Sequence, residues 1–321
     1  MAYAIELDES VHAGVIRCAQ EQLDRAIREL SDRISDDPVS AVHAARKAIK
    51  KERGLLRLVR GSMPPADRRR ENAALRDAAH ELSGTRDAEV MIKTLDGLSQ
   101  RYAGQLPEST FAEIRDKLER QRDAHRRRLV DSALGAQAVQ ELGAVRVRAE
   151  DWRLTRGGWA ALQDGLKRSY KDGRRAFLRA RCDPSAAALH EWRKRAKDLW
   201  YEQRLLGRAG GPAIAGQAKD AHRLSDLLGD DHDLVVLRRE LAEAGLRVAA
   251  DTDAVVALID ERRRSLQAEA LALGRRIYSE PPSAFVRRMR RSWKAGRRHA
   301  AAEREQHPRS VARATRMPHA A

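Results

Sequence analysis

The sequence predicts an all-α protein, and three observations carry that reading. Of 321 residues only 3 Phe, 5 Trp and 5 Tyr are aromatic, with 20 Gly and 10 Pro. A β-sandwich or barrel needs β-branched and aromatic strands broken by frequent Gly/Pro turns. Charged residues make up 34% and hydrophobic ones 42%, the balance of a folded helical chain and not of a disordered one. Apolar residues also recur at a helical period: Val11, Val15, Cys18, Leu23, Ile27, Leu30 and Ile34 fall on one face.

Each element follows from a local signal. The Val11–Ile34 stripe predicts a helix over about 10–35, and Asp37-Pro38, an N-cap followed by Pro at the first helical position, starts the next over about 39–60. Pro64-Pro65 precedes a helix over about 66–83, followed by one over about 86–103. Thr110-x-x-Glu113 reads as a capping box for a helix over about 109–134. The segment 136–157 reads as a linker, before a helix over about 158–181. Asp183-Pro184 repeats the earlier N-cap signal for a helix over about 185–208. The glycine-rich turn Gly207, Gly210, Gly211 and Gly216, with Pro212, introduces helices over about 212–228, 231–245 and 251–278. Pro281-Pro282 opens a last one over about 283–302. One helical domain over about 1–302 is expected, its first half about 8–135 and its second about 158–302. The polar, aperiodic stretch 303–321 is expected to be a disordered tail.

Composition narrows the function. Lys and Arg number 63 against 47 Asp and Glu, a net charge of +16 and a pI near 10.4, so a polyanion is the first partner to consider. The longest apolar runs, such as AVVALI at 254–259, are about six residues and too short to span a bilayer. Glu6, Asp8, Glu9 and His12 argue against a signal peptide. Cys18 and Cys182 are isolated, so no disulfide framework and a cytoplasmic location are expected. The glycine-rich turn lacks the GK[ST] of a nucleotide-binding loop.

The most informative feature is an internal repeat. DPVSAVHAARKAIKKERGLLRL begins at Asp37 and DPSAAALHEWRKRAKDLWYEQRLL at Asp183. Aligning His43 with His190 pairs Arg46 with Arg193, Lys47 with Lys194, Lys50 with Lys197 and Arg57 with Arg204, without a gap. Downstream, ELSGTRDAEV around Asp87 matches DLLGDDHDLVV around Asp233 at nearly the same offset, so a duplicated bundle is expected. At about 100° per residue, Lys47, Lys50, Lys51, Arg46, Arg53 and Arg57 all lie within about 80° of His43. The second copy repeats the stripe with Arg193, Lys194, Lys197 and Arg204, and adds Tyr201. Each stripe extends about 21 Å at 1.5 Å per residue. No carboxylate falls within about 60° of either histidine. Like charges a turn apart destabilise a helix by roughly 0.2–0.5 kcal/mol per pair, and a solvated face relieves that with interleaved Glu. An acid-free stripe in both copies favours a face that an anion neutralises.

At these residues the sequence resembles the CHAD family, in VHAARKAIKKERGLLRL, LSGTRDAEVMIKTL, YKDGRRAFLRA, LHEWRKRAKDLWYEQRLL, LLGDDHDLVVL and RRIYSEPPSAFVRRMRRSW. The resemblance implies a two-lobed helical bundle with a pseudo-twofold, whose two His helices face a central basic channel that binds inorganic polyphosphate, with no catalysis established. Carried over by position, His43, Arg46, Lys47, Lys50, Arg57, His190, Arg193, Lys194, Lys197 and Arg204 would line the channel, and Arg174 and Arg175 would add charge from a neighbouring helix. The chain departs from strict repetition where Arg86-Asp87 meets His232-Asp233. The resemblance also implies a place at cytoplasmic polyphosphate granules.

The residue types suit such a ligand. Lys and Arg give charge-assisted hydrogen bonds, Arg in bidentate fashion, and residues three or four apart sit about 5–6 Å from one another. Among so many cations the histidines are expected to have depressed pKa values that a bound polyanion would raise, giving tighter binding toward pH 6. Two other readings have a basis in the sequence. RRMRRSWKAGRRHAA at 287–301 supports nucleic-acid binding. His222, His232 and Asp233 would suit a metal-dependent phosphohydrolase, but Arg86 stands at the equivalent position and would repel a metal. No metal or cofactor is therefore expected. Asp87 and Asp233 read as helix-start carboxylates or as partners of channel arginines.

Overall fold

Ser10 and Asp37 start the first two helices. Ser10 Oγ accepts the Ala13 amide at 3.0 Å and Asp37 Oδ1 that of Ser40 at 3.2 Å, each satisfying an orphan donor of a helix N-terminus. The computed structural model describes residues 3–82, 87–130, 135–243 and 252–314, with backbone alone at 87–88, 125–130, 243 and 303–314. No strand occurs among the described residues. Their helices are α1 (Val11–Asp32), α2 (Pro38–Leu58), α3 (Pro65–Glu81), α4 (Asp87–Arg101), α5 (Glu108–Val130), α6 (Ala136–Ala149), α7 (Gly158–Cys182), α8 (Ala186–Glu243), α9 (Thr252–Ile277) and α10 (Pro282–Ala314).

Several boundaries differ from expectation, each for a physical reason. The expected linker contains α6, because Ala138, Leu142, Val145 and Ala149, spaced four and three apart, are buried against α1 and α3. Ser185, not Asp183, caps α8: its Oγ accepts the Ala188 amide at 3.4 Å, while Asp183 Oδ1 accepts the Ser185 amide. Thr110 lies inside α5, whose first residue is Glu108, and not at the start expected of it. Of the three helices expected over 185–245, the first two meet as expected at the glycine-rich turn, across a kink at Gly211 (φ 70°, ψ −170°) within α8. Positive φ is open to glycine, and it lets the chain admit Pro212 without breaking into a loop. No break follows at 229–231, because buried Asp231 is held by Arg263 at 3.2 Å and Gln267 at 2.8 Å, both on α9. Asp233 therefore lies within a helix and not at its start. α10 continues beyond the expected end at 302 to Ala314, and the rest of the expected tail, 315–321, lies outside the described residues.

Buried side chains form two clusters. The larger joins α1, α2, α3, α6, α7, α8 as far as Leu228, the end of α9 at Ala270 and Leu273, and the start of α10, with Trp192 fully buried against Phe177 and Tyr170 stacked on Phe285 at 3.9 Å. The smaller joins α4, α5, the end of α8 from Leu234 and α9 as far as Leu266, around Leu95, Leu118, Leu237 and Ile259. Leu227, beyond the kink, packs against both. α2 crosses α7 at Gly165, where a Cβ would lie 1.9 Å from the Leu58 carbonyl oxygen, so only glycine fits. Among the described residues no helix is long and apolar enough to cross a membrane. Cys18 and Cys182 are free thiols, the first buried and the second exposed.

Candidate anion-binding cleft

α2 and α8 run antiparallel past one another. At the crossing a Gly54 Cβ would lie 3.1 Å from Tyr201 Cβ, so the glycine allows close approach. Three residues further along α2, Arg57 Nη1 meets Asp198 Oδ1 at 3.0 Å. Three residues before Gly54, Lys51 shares a cavity with Arg204. The crossing therefore divides the cationic stripes between two cavities.

The larger cavity, of about 610 Å³, lies between the two core clusters. α2 lines it with Arg46, Lys50, Arg53 and Arg57, and α8 with His190, Arg193, Lys194, Arg195, Lys197, Asp198 and Tyr201. Val90 and Met91 of α4 and His232, Asp233 and Val236 of α8 close it from the smaller cluster. Eight Lys and Arg thus face two Asp around one space, where facing walls reinforce the positive potential.

Neutral and acidic groups fix several of these cations in place. Arg46 Nη1 donates to the Leu82 carbonyl at 2.6 Å and Arg53 Nε to Asn72 Oδ1 at 3.2 Å. Asp198 receives Arg57 and, at 3.1 Å, Arg195, while Glu191 receives Lys194 at 2.9 Å and Arg195 at 2.8 Å. The His190 ring lies 4.4 Å from that of His232, and its Nδ1 is buried without a hydrogen bond among the described residues. Burial first, then His232, Lys194 and Arg193, pull its pKa down to about 4. Burial and the neighbouring Arg57 likewise lower that of Arg53. The cleft is short of negative charge.

Of the residues expected at the site, the structure gathers Arg46, Lys50, Arg53, Arg57, His190, Arg193, Lys194, Lys197 and Tyr201. His43, half-buried, and Lys47, exposed, share α2 but are not among the lining residues. Lys51 and Arg204 line the second cavity, of about 530 Å³, with Arg25 and Arg28 of α1. Lys51 faces α1 because it lies on the flank of the stripe: its buried Nζ donates to Gln22 Oε1 at 2.9 Å, and Tyr3 donates to its carbonyl. Burial, and then Arg204, Arg25 and Lys47, lower its pKa to about 8. Arg174 and Arg175 do not reach the cleft, because α7 lies on another side of α8. Arg174 Nε donates to the Tyr278 carbonyl at 3.3 Å, and Arg175 lines a small cavity with Asp172, Arg179 and Glu191.

Sequence reasoning missed Arg195, Asp198, Val90, Met91 and Val236, and gave His232 no place at the site; Asp233 lines the cavity alongside the arginines that one of its two readings gave it as partners. Asp198 lies about 80° from His190, just beyond the acid-free arc. The adjacent pair His232-Asp233 was the visible signal for the α8 wall; its counterpart Arg86, and the Asp87 side chain, lie outside the described residues. The apolar wall residues carry no sequence signal. Among the described residues no group of three His, Cys, Asp or Glu side chains could hold a metal. His222 instead pairs with Asp226 at 3.1 Å and packs on Trp200, apart from His232.

Fold and cleft define a class: an all-helical protein with a cationic cavity between two facing helices. A family model for the CHAD domain matches residues 17–242, and the chain belongs to that family. The structure is similar to that of PptA from Streptomyces chartreusis (17% identity, TM-score 0.56, covering 85% of this chain and 100% of that one). It is also similar to the crystal structure of the CHAD domain from the plant Ricinus communis (18% identity, TM-score 0.58, covering 87% and 95%). No curated protein matches.

Proposed function

We propose that the chain binds inorganic polyphosphate in the cleft between α2 and α8, as a binding module without catalysis. The observation that carries this reading is the balance of eight Lys and Arg against two Asp around one cavity of about 610 Å³. A linear polyphosphate offers repeating charge and no bases, so it needs cations at regular spacing and no stacking platform. Cations one turn apart on two facing helices provide that spacing. Retention at polyphosphate granules in cells is the corresponding proposal for location.

Titration of labelled polyphosphate across a range of salt concentrations tests the reading. If about six phosphates are neutralised, the logarithm of affinity should fall with a slope of about −4 against that of salt. The double reversal Lys50→Glu, Lys197→Glu should weaken binding by at least tenfold, and chain length should stay constant with Mg²⁺ or Mn²⁺ present. A folded double variant with unchanged affinity would place the site elsewhere. Shortening of the chains would make the protein an enzyme.

A further inference from the structure

α10 turns two different faces to its surroundings. Phe285, Val286, Met289 and Trp293 are buried, and the helix packs on α7 and α8. Arg288 and Arg297 flank that face, the first held by Glu280 and the second donating to the Glu9 carbonyl at 2.8 Å. On the outer side Arg287, Arg290, Arg291, Lys294 and Arg298 are exposed, within an arc of about 100°. None of the five has a hydrogen bond or ion pair among the described residues. No Asp or Glu occurs between Glu280 and Glu303. This face lies outside residues 17–242, which match the family, and contributes nothing to the lining of the cleft.

Five like charges on one face oppose each other and favour an external anion. We infer that this face docks a nucleic-acid duplex through its phosphate backbone. From Arg287 to Arg298 the cations span about 16 Å at 1.5 Å per residue, and a duplex presents about one charge per 1.7 Å of axis. The face is convex, so a thin flexible chain would be held on one side only and lose its freedom for few contacts, whereas a duplex brings its phosphates already ordered. The aromatics of α10, Phe285 and Trp293, are 1% and 3% exposed, so there is no platform on which single-stranded bases could stack. Among the described residues the exposed large hydrophobic is Val147, on α6, so α10 offers nothing to insert into a lipid surface.

The test compares two variants of the full chain against three probes: a DNA duplex of about 30 base pairs, labelled polyphosphate and vesicles of anionic phospholipid. Arg287→Glu, Arg291→Glu, Lys294→Glu, Arg298→Glu should lose duplex binding by at least tenfold and flatten its salt slope by about 3.6 units, at about 0.9 per phosphate contact. Its polyphosphate affinity should be unchanged. Lys50→Glu, Lys197→Glu should do the reverse, so the fate of this inference is separate from that of the cleft. The same four positions changed to Gln give a milder loss in the same direction if the reversal disturbs folding. Wild-type duplex affinity and slope in both α10 variants would overturn the inference. So would loss of duplex binding in the cleft variant, or a defect confined to vesicles.

Discussion

Arg57 Nη1 lies 3.0 Å from Asp198 Oδ1 across the antiparallel contact of α2 and α8, and the same carboxylate holds Arg195 at 3.1 Å. It is the negative group at the meeting point of two cationic stripes, with its side chain 14% exposed. Burial pushes its pKa up, and Arg57, Arg195 and Arg53 oppose that shift. Asp198→Asn leaves those arginines partly buried with less compensation. The free protein should lose about 1–3 kcal/mol of stability. A bound polyanion then takes over the lost role. Thermal unfolding should therefore show a larger upward shift on adding polyphosphate for the variant than for the wild type. Equal shifts would deny Asp198 that part.

The His190 imidazole accounts for a pH dependence. Unfolded, it takes up a proton near the ordinary value of 6.5; folded, only near about 4. As pH falls through that window the unfolded chain binds more protons, so the free protein loses stability on acidification. Phosphates in the cleft favour the protonated ring, so polyphosphate should bind more tightly, by severalfold, as pH falls from 8 to 5.5. His232, in ring contact, opposes that protonation. His190→Gln should flatten the profile. A variant that keeps the wild-type pH dependence would assign it to other groups.

The stripes were legible because a helix converts spacing into direction: Arg46, Lys50, Arg53 and Arg57 share a side at any pitch near 3.6 residues. What the wheel does not contain is the neighbour on each side. Lys51 belongs to the same charged half of α2 but meets Gln22 of α1, and Arg204 lies past the Gly54–Tyr201 contact, where the second cavity begins. Arg175 stands on α7 among Asp172, Arg179 and Glu191 for the same reason. α6 was hidden because its inward face includes Ala138 and Ala149, a weak apolar signal. The continuity of α8 through Gly229-Asp230-Asp231 depends on Arg263 and Gln267, more than thirty residues away. Long-range partners, not propensities, decided both.

Gly165 couples α7 to the cleft. A Cβ there would lie 1.9 Å from the Leu58 carbonyl oxygen and 2.5 Å from that of Arg57, so Gly165→Ala must push the end of α2 outward. Overpacking of this kind costs about 1–3 kcal/mol. Because Arg57 rides on the displaced turn, the variant should also bind polyphosphate more weakly. Calorimetry and titration of the same preparation check both. A variant with native unfolding temperature and affinity would show that the two helices are not in such close contact.

Glu52 sets a pH limit on stability from inside the fold. It is 0% exposed, and neither carboxyl oxygen has a hydrogen-bond partner among the described residues. Burial, with Glu71 nearby, pushes its pKa up to about 8. Unfolded, the same group ionises near 4.5. Between those values the folded chain holds the proton that the unfolded chain has released, so stability falls as pH rises, at about 1.4 kcal/mol per unit. Glu52→Met fills similar space without a charge or an unsatisfied polar atom. Its unfolding temperature should exceed that of the wild type by a margin that is largest at pH 8 and shrinks toward pH 4.5. A margin that stays constant with pH would mean that the carboxyl ionises in the folded chain much as it does in water.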